Sequence, residues 1–325
     1  MPWKIGLLVT LSGLGLLAWV WQRYLRIIVN LFLGVVVRST ADEEQRFEGE
    51  EVILRTGDGV ELAATLARPA SGERPPVVVF CPEFGADRRS AGPYADWLRE
   101  AGYAVLAFDF RGHGDSKNTD DYVPRQWATE RELTDLEAVV AYARARNDLA
   151  AEYLVLFGIS RGGAVATALA GRDPQVLALV TDGLFSTRRT LADYMRRWVS
   201  IFADVRLIYS HLPEWVFRMY EKLTLLVSEL RLGVRFLPVE KAVRDRRCPL
   251  LMIHGEADSY VGADQARWLH EQAAPPKALW LVPGARHNQA VRVAGQGYQQ
   301  RVLEFITACL PVPTPAVVPS SSTQS

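Results

Sequence analysis

Six short apolar runs, at residues 77–81, 104–108, 153–157, 176–180, 250–253 and 278–282, constrain this chain more than any other feature. Each is followed by a turn and a helix-like stretch. A strand that is apolar on both faces has to be covered on both, and strands that alternate with helices are joined by crossovers. The pattern therefore predicts a mostly parallel sheet with helices on both faces, an α/β fold. Ahead of these runs, residues 51–56 and 60–67 flank Gly57-Asp58-Gly59, the turn chemistry of a hairpin, so the sheet is expected to start with antiparallel strands. Between residues 184 and 247 the alternation stops and a stretch rich in Arg, Trp, Phe, Tyr and Leu reads as helices, an insertion that would cap the sheet. No internal repeat interrupts the scheme.

The amino terminus is of a different kind. Residues 5–21 are apolar apart from Thr10 and Ser12, and a helix of that length rises roughly 25 Å, near the lower limit for crossing a bilayer. Trp3, Trp19, Trp21 and Tyr24 stand where interfacial aromatics belong, with Lys4, Arg23 and Arg26 at the flanks. A second apolar run, 27–37, is too short to cross alone and would lie in the interface or extend the first helix. A cleaved signal peptide is the competing reading, but Trp21-Gln22-Arg23-Tyr24 offers no small-x-small cleavage site. The division expected is a single-pass membrane anchor over 1–40, a charged linker over 41–50, a folded domain over 51–310 and a Pro- and Ser-rich disordered tail over 311–325. Arg23, Arg26 and Arg38 outnumber Lys4 and the amino terminus by one charge, which favours a cytoplasmic domain.

Lys plus Arg and Asp plus Glu are 37 each, so no basic surface for nucleic acid is expected. Cys81, Cys248 and Cys309 lie far apart, and His113, His211, His254, His270 and His287 lack the spacing of ligands on a helix. Neither a disulfide framework nor a metal or other cofactor is therefore expected.

The chemistry is concentrated at Gly158-Ile159-Ser160-Arg161-Gly162, where a predicted strand runs straight into a small-residue helix over 164–170. A serine on so sharp a turn needs glycine two residues to either side, because side chains there would meet neighbouring backbone. The helix start behind it offers free N–H groups and the positive end of a dipole to an oxyanion. With this G-x-S-x-G between strand and helix, residues 50–310 resemble the α/β-hydrolase superfamily.

The resemblance implies a catalytic triad completed by an acid and then a histidine. His254-Gly255-Glu256-Ala257-Asp258 is similar to the family's H-G-x-x-D, and Pro283-Gly284-Ala285-Arg286-His287 to its G-x-x-H, which makes Asp258 the acid and His287 the base of Ser160. Asp182, at the end of the preceding strand, is the rival acid, and His254 is expected to hydrogen-bond within its own turn. The oxyanion hole implied uses the backbone N–H groups of Arg161 and Phe84. There the chain departs from the family, carrying Pro82-Glu83 where His-Gly is usual; Pro82 cannot donate, and the Glu83 carboxyl either turns away, toward an arginine such as Arg88 or Arg111, or tunes the site for something unusual. The segment Asp109-Phe110-Arg111-Gly112-His113-Gly114-Asp115-Ser116 is similar to the family's D-x-R-G-x-G-x-S turn and is expected to be scaffold.

In the insertion, Trp198, Ile201, Phe202 and Val205, then Trp215, Phe217, Met219, Tyr220 and Leu223, recur at helical spacing. They would either line an apolar pocket or pack the cap, and Arg188, Arg189, Arg196 and Arg197 would meet anionic headgroups or form a solvated basic face. Together with the anchor, the pattern resembles the lysophospholipase and monoacylglycerol-lipase branch and implies a small acyl substrate, a lipophilic ester cleaved through an acyl-enzyme on Ser160. Thioesterase, peptidase and acyltransferase chemistry on the same residues stay open, as does a non-catalytic, membrane-bound binding protein.

Overall fold

The computed structural model describes residues 2–34, 46–70, 72–202 and 213–311. Residues 35–40 of the expected anchor, 41–45 of the linker, 203–212 of the cap with Val205, and the tail from 312 lie outside the described residues.

Eight strands form one sheet in the order β1-β2-β4-β3-β5-β6-β7-β8. β1 (Glu50–Arg55) and β2 (Glu61–Ala67) are the hairpin around Gly57-Asp58-Gly59, and β2 pairs antiparallel with β4 (Ala104–Phe108). From β4 onward every pairing is parallel, through β3 (Pro76–Cys81), β5 (Ala150–Ile159), β6 (Ala178–Asp182), β7 (Leu250–Gly255) and β8 (Lys277–Val282). This is the α/β fold expected from the alternation, with the antiparallel start.

Side-chain alternation divides the core into two layers. In β3, Val77, Val79 and Cys81 join one apolar cluster and Val78 and Phe80 the other. The first layer is covered by α3 (Glu130–Ala145), α4 (Arg161–Ala170) and α8 (Ala263–Gln272); the second is covered by α2 (Ala91–Ala95) and α9 (Gln296–Cys309). α3 starts where it does because Thr129 and Glu132 form a capping box, with Glu132 accepting the Thr129 N–H at 3.0 Å.

Between β6 and β7 lie α5 (Thr187–Phe202), α6 (Glu214–Leu232) and α7 (Val239–Asp245). The arginines of this region are engaged by neighbouring side chains and backbone. Arg188 pairs with Glu221, Arg189 with Asp193 and Asp264, and Arg196 with Asp193 and Glu214, while Arg197 donates to the Ser259 carbonyl.

At the amino terminus the first apolar run and residues 27–34 of the second form a single helix, α1 (Pro2–Gly34), because no glycine–proline break separates them. Its stretch Leu11–Gly34, with mean hydropathy 1.2, is long and apolar enough to cross a membrane. Trp21, one of the aromatics expected at a membrane interface, stacks on Tyr220 of α6 at 4.1 Å between ring centroids.

Candidate active site

Parallel strands leave their carboxyl ends on one edge of the sheet, and the loops that carry Phe84, Ser160, Asp258 and His287 follow β3, β5, β7 and β8. Ser160 stands between β5 and α4 with φ 50° and ψ −112°, a conformation rare for a residue with a side chain. The packing leaves no alternative. A Cβ on Gly158 would come within 2.6 Å of the Gly162 carbonyl, and one on Gly162 within 2.1 Å of the Cys81 carbonyl. The strained turn is held by the Ser160 N–H, which donates to Asp182 O at 2.7 Å.

Ser160 Oγ lies 2.9 Å from His287 Nε2, and His287 Nδ1 lies 2.6 Å from Asp258 Oδ2. All three residues are buried. The other Asp258 oxygen accepts the Tyr260 and Val261 N–H groups at 2.8 and 2.9 Å. Burial opposes ionisation of Asp258, but the hydrogen bond and charge of His287 and the backbone donors outweigh it, holding the carboxyl below its ordinary range. The rival Asp182 is directed elsewhere. Its Oδ2 accepts the Tyr298 hydroxyl at 3.1 Å, its Oδ1 has no hydrogen-bond partner, and burial pushes its pKa up to about 7. His254 bonds locally, Nε2 to the Val261 carbonyl at 2.9 Å, as its turn suggests.

Glu83 pairs with neither arginine proposed for it. Arg88 is taken by Asp109, Asp115 and Glu51, and Arg111 by Asp58 and Asp135. Glu83 is buried with Oε2 unpartnered, and burial pushes its carboxyl pKa up, favouring the neutral acid. Asp109 and Arg111 are indeed internal: Asp109 accepts the Arg88 and Asp115 N–H groups at 2.6 and 2.8 Å, and Arg111 reaches Asp135 at 2.7 Å.

Arg161 contributes more than its backbone N–H at the start of α4. Its buried guanidinium lies 5.0 Å from the Phe84 ring centroid and 5.1 Å from that of Phe110, and donates to Arg125 O at 2.9 Å. It thus ties the loop after β3 to the helix after β5. Burial and the Arg161 charge lower the pKa of the neighbouring His113 to about 3, keeping that ring neutral.

Beside Ser160 and His287 the cavity is walled by Phe84, Trp127, Phe185, Tyr194, Tyr260 and Val261, and its free volume is ≈ 20 Å³. Trp127, Phe185 and Tyr194 are not marked by any motif or period in the sequence. Only the approach of the loop before α3 to the start of α5 makes them neighbours of the serine. Among the described residues no group of His, Cys, Asp and Glu side chains could hold a metal.

The serine aminopeptidase S33 family model matches residues 72–229. The protein Rv2307c of Mycobacterium tuberculosis is 25% identical over 300 residues, 92% of this chain and 93% of the relative. YfhR of Escherichia coli is 28% identical over 277 residues, 84% of this chain and 81% of the relative. Among solved structures, the Pyrococcus furiosus esterase Pf2001 superposes with a TM-score of 0.62 at 22% identity, over 85% of this chain and 96% of the esterase. Sheet order, the strained serine turn and these likenesses lead to one assignment: the chain has the α/β-hydrolase fold.

Proposed function

We propose that this protein is a membrane-tethered serine hydrolase that cleaves a lipophilic carboxylic ester. The observation that carries the reading is the unbroken series Ser160 Oγ, His287, Asp258, at 2.9 and 2.6 Å. In this reading Ser160 Oγ attacks the ester carbonyl while His287 Nε2 takes its proton, and Asp258 holds the ring in the useful tautomer and stabilises the imidazolium. The tetrahedral oxyanion is received by the N–H groups of Phe84 and Arg161, aided by the positive end of α4. His287 then returns the proton to the leaving alkoxide. Water, deprotonated by the same imidazole, releases the acid from the acyl-enzyme.

The match to the S33 aminopeptidase model makes peptide hydrolysis the second reading. Apart from Gln126 and Thr190 the cavity lining beside Ser160 and His287 is aromatic and aliphatic, and among the described residues it includes no carboxylate to receive a substrate amino group, which disfavours that reading. Thioester cleavage and acyl transfer use the same triad and differ only in the group that leaves or accepts. For α1 the anchor reading goes with the exposed apolar part of the helix, which carries Leu11, Leu14 and Trp19, and the charge balance around it supports a cytoplasmic catalytic domain.

Labelling with a fluorophosphonate and turnover of p-nitrophenyl esters against aminoacyl p-nitroanilides test the proposal. Wild type is expected to be labelled once per chain and to prefer esters, and Ser160→Ala to lose both label and turnover. An unlabelled wild type would instead fit a binding protein on a hydrolase scaffold.

A further inference from the structure

The last turns of α1 belong to the protein rather than to a lipid environment. Val29 and Phe32 have no exposed surface, whereas Leu11, Leu14 and Trp19 nearer the amino terminus are more than half exposed. The domain also satisfies the end of the helix. The Trp127 indole N–H donates to the Phe32 carbonyl at 3.1 Å and Arg125 Nη1 to the Leu33 carbonyl at 2.6 Å, two acceptors that a helix terminus otherwise leaves open. The Phe32 ring stacks on Trp127 at 4.5 Å with 15° between planes, and meets Phe236 edge-on at 5.7 Å. Trp127 in turn walls the cavity beside Ser160. One indole therefore separates the amino-terminal helix from the reacting serine.

The free volume of ≈ 20 Å³ at that wall is room for about one water, against roughly 300 Å³ or more in ordinary small-molecule sites. An acyl group on Ser160 needs space, and the two sides of the cavity are not equally able to yield it. Phe84 and His287 are fixed by Arg161 and Asp258. Trp127, Phe185, Tyr194 and Val261 share a separate apolar cluster with Ile28 and Phe32, outside the two layers of the sheet core. Room for the acyl chain has to come from that cluster, and Phe32 holds its largest ring in place.

We infer that α1 is part of the substrate site: Phe32 is a positioning residue that, through Trp127, sets the length of acyl group that Ser160 accepts. The inference rests on the serine-hydrolase reading above. Truncating Phe32 leaves a void behind the indole, into which the ring can swing.

The test uses the full-length chain in detergent micelles. It takes kcat/KM for p-nitrophenyl dodecanoate over that for p-nitrophenyl butyrate, and the same ratio for fluorophosphonates bearing long and short alkyl chains. Phe32→Ala is expected to raise both ratios roughly tenfold, the scale on which pocket volume discriminates methylenes. Phe32→Trp is expected to lower them, and Ile27→Ala, on the exposed side of the same helix, to leave them unchanged. If Phe32→Ala does not fold, Phe32→Leu and Trp127→Phe carry the test, each expected to raise the ratio. Folded variants with the wild-type ratio would overturn the inference while leaving the hydrolase reading intact. Loss of labelling in the wild type would refute both, and labelling without ester turnover refutes ester cleavage alone, with the probe ratio then deciding the role of Phe32.

Discussion

Gly162→Ala is the sharpest test of how the site is built. A Cβ there would lie 2.1 Å from Cys81 O, 2.5 Å from Pro82 O and 2.6 Å from the Cys81 carbonyl carbon. All three contacts are backbone, so no side chain can rotate out of the way. Relief to an ordinary contact requires the loop after β3 to retreat by about 1 Å, and displacements of that size cost about 10²-fold when they fall on reacting groups. The displaced segment carries the Phe84 N–H, one of the two oxyanion donors in the proposed mechanism, and losing such a donor costs about 3–4 kcal/mol of transition-state stabilisation. The expectation is a kcat lowered by about 10²–10³-fold with KM changed only a few-fold, since the donor acts on the transition state. Steady-state kinetics with p-nitrophenyl butyrate, normalised to fluorophosphonate-titrated sites, separates this from loss of folded protein. A variant with kcat within about threefold of wild type would refute the assignment of the 81–84 backbone to the oxyanion hole.

Three further outcomes follow from the buried charges. Asp258→Asn is expected to lower kcat/KM by about 10⁴-fold, because an amide presents the wrong partner to His287, whereas Asp182→Asn changes it by less than about threefold; the reverse order would make Asp182 the acid. Arg111→Ala leaves the fully buried Asp135 without its charged partner and is expected to reduce the unfolding free energy by about 3–5 kcal/mol in urea titrations; an unchanged midpoint would contradict the scaffold role. Asp182, whose carboxyl burial raises to about 7, takes up a proton on folding, so its contribution to stability is full below the ordinary carboxylate range and is lost as pH rises toward 7. Thermal melts at pH 5 and 8 are therefore expected to show a smaller loss of Tm for Asp182→Asn than for wild type, and equal losses would refute the shifted titration.

Much of this arrangement is legible residue by residue along the chain. The apolar runs 77–81, 104–108, 153–157 and 250–253 coincide with strands because a doubly covered strand has to be apolar throughout. Gly158 and Gly162 announce the strained serine because only glycine fits against the carbonyls of Gly162 and Cys81. The motif around Asp258 already ranked it above Asp182, but where each side chain goes is a property of the fold. Asp182 ends β6 and Asp258 follows β7 at the same edge of the sheet, and only the orientation of their side chains sends one to Tyr298 and the other to His287. The destination of Glu83 likewise depended on which carboxylates had already claimed Arg88 and Arg111.

Sequence alone determined the kind of sheet, the residues available for chemistry and an apolar amino-terminal helix, since each follows from local pattern: side-chain period, turn residues, apolar length. Tertiary structure alone decided that Phe32 and Trp127, 95 positions apart, lie face to face, with Trp127 walling the cavity beside the serine. Contacts of that range are selected by how whole elements pack, and periodicity within a helix says which face is apolar without saying what the face will meet.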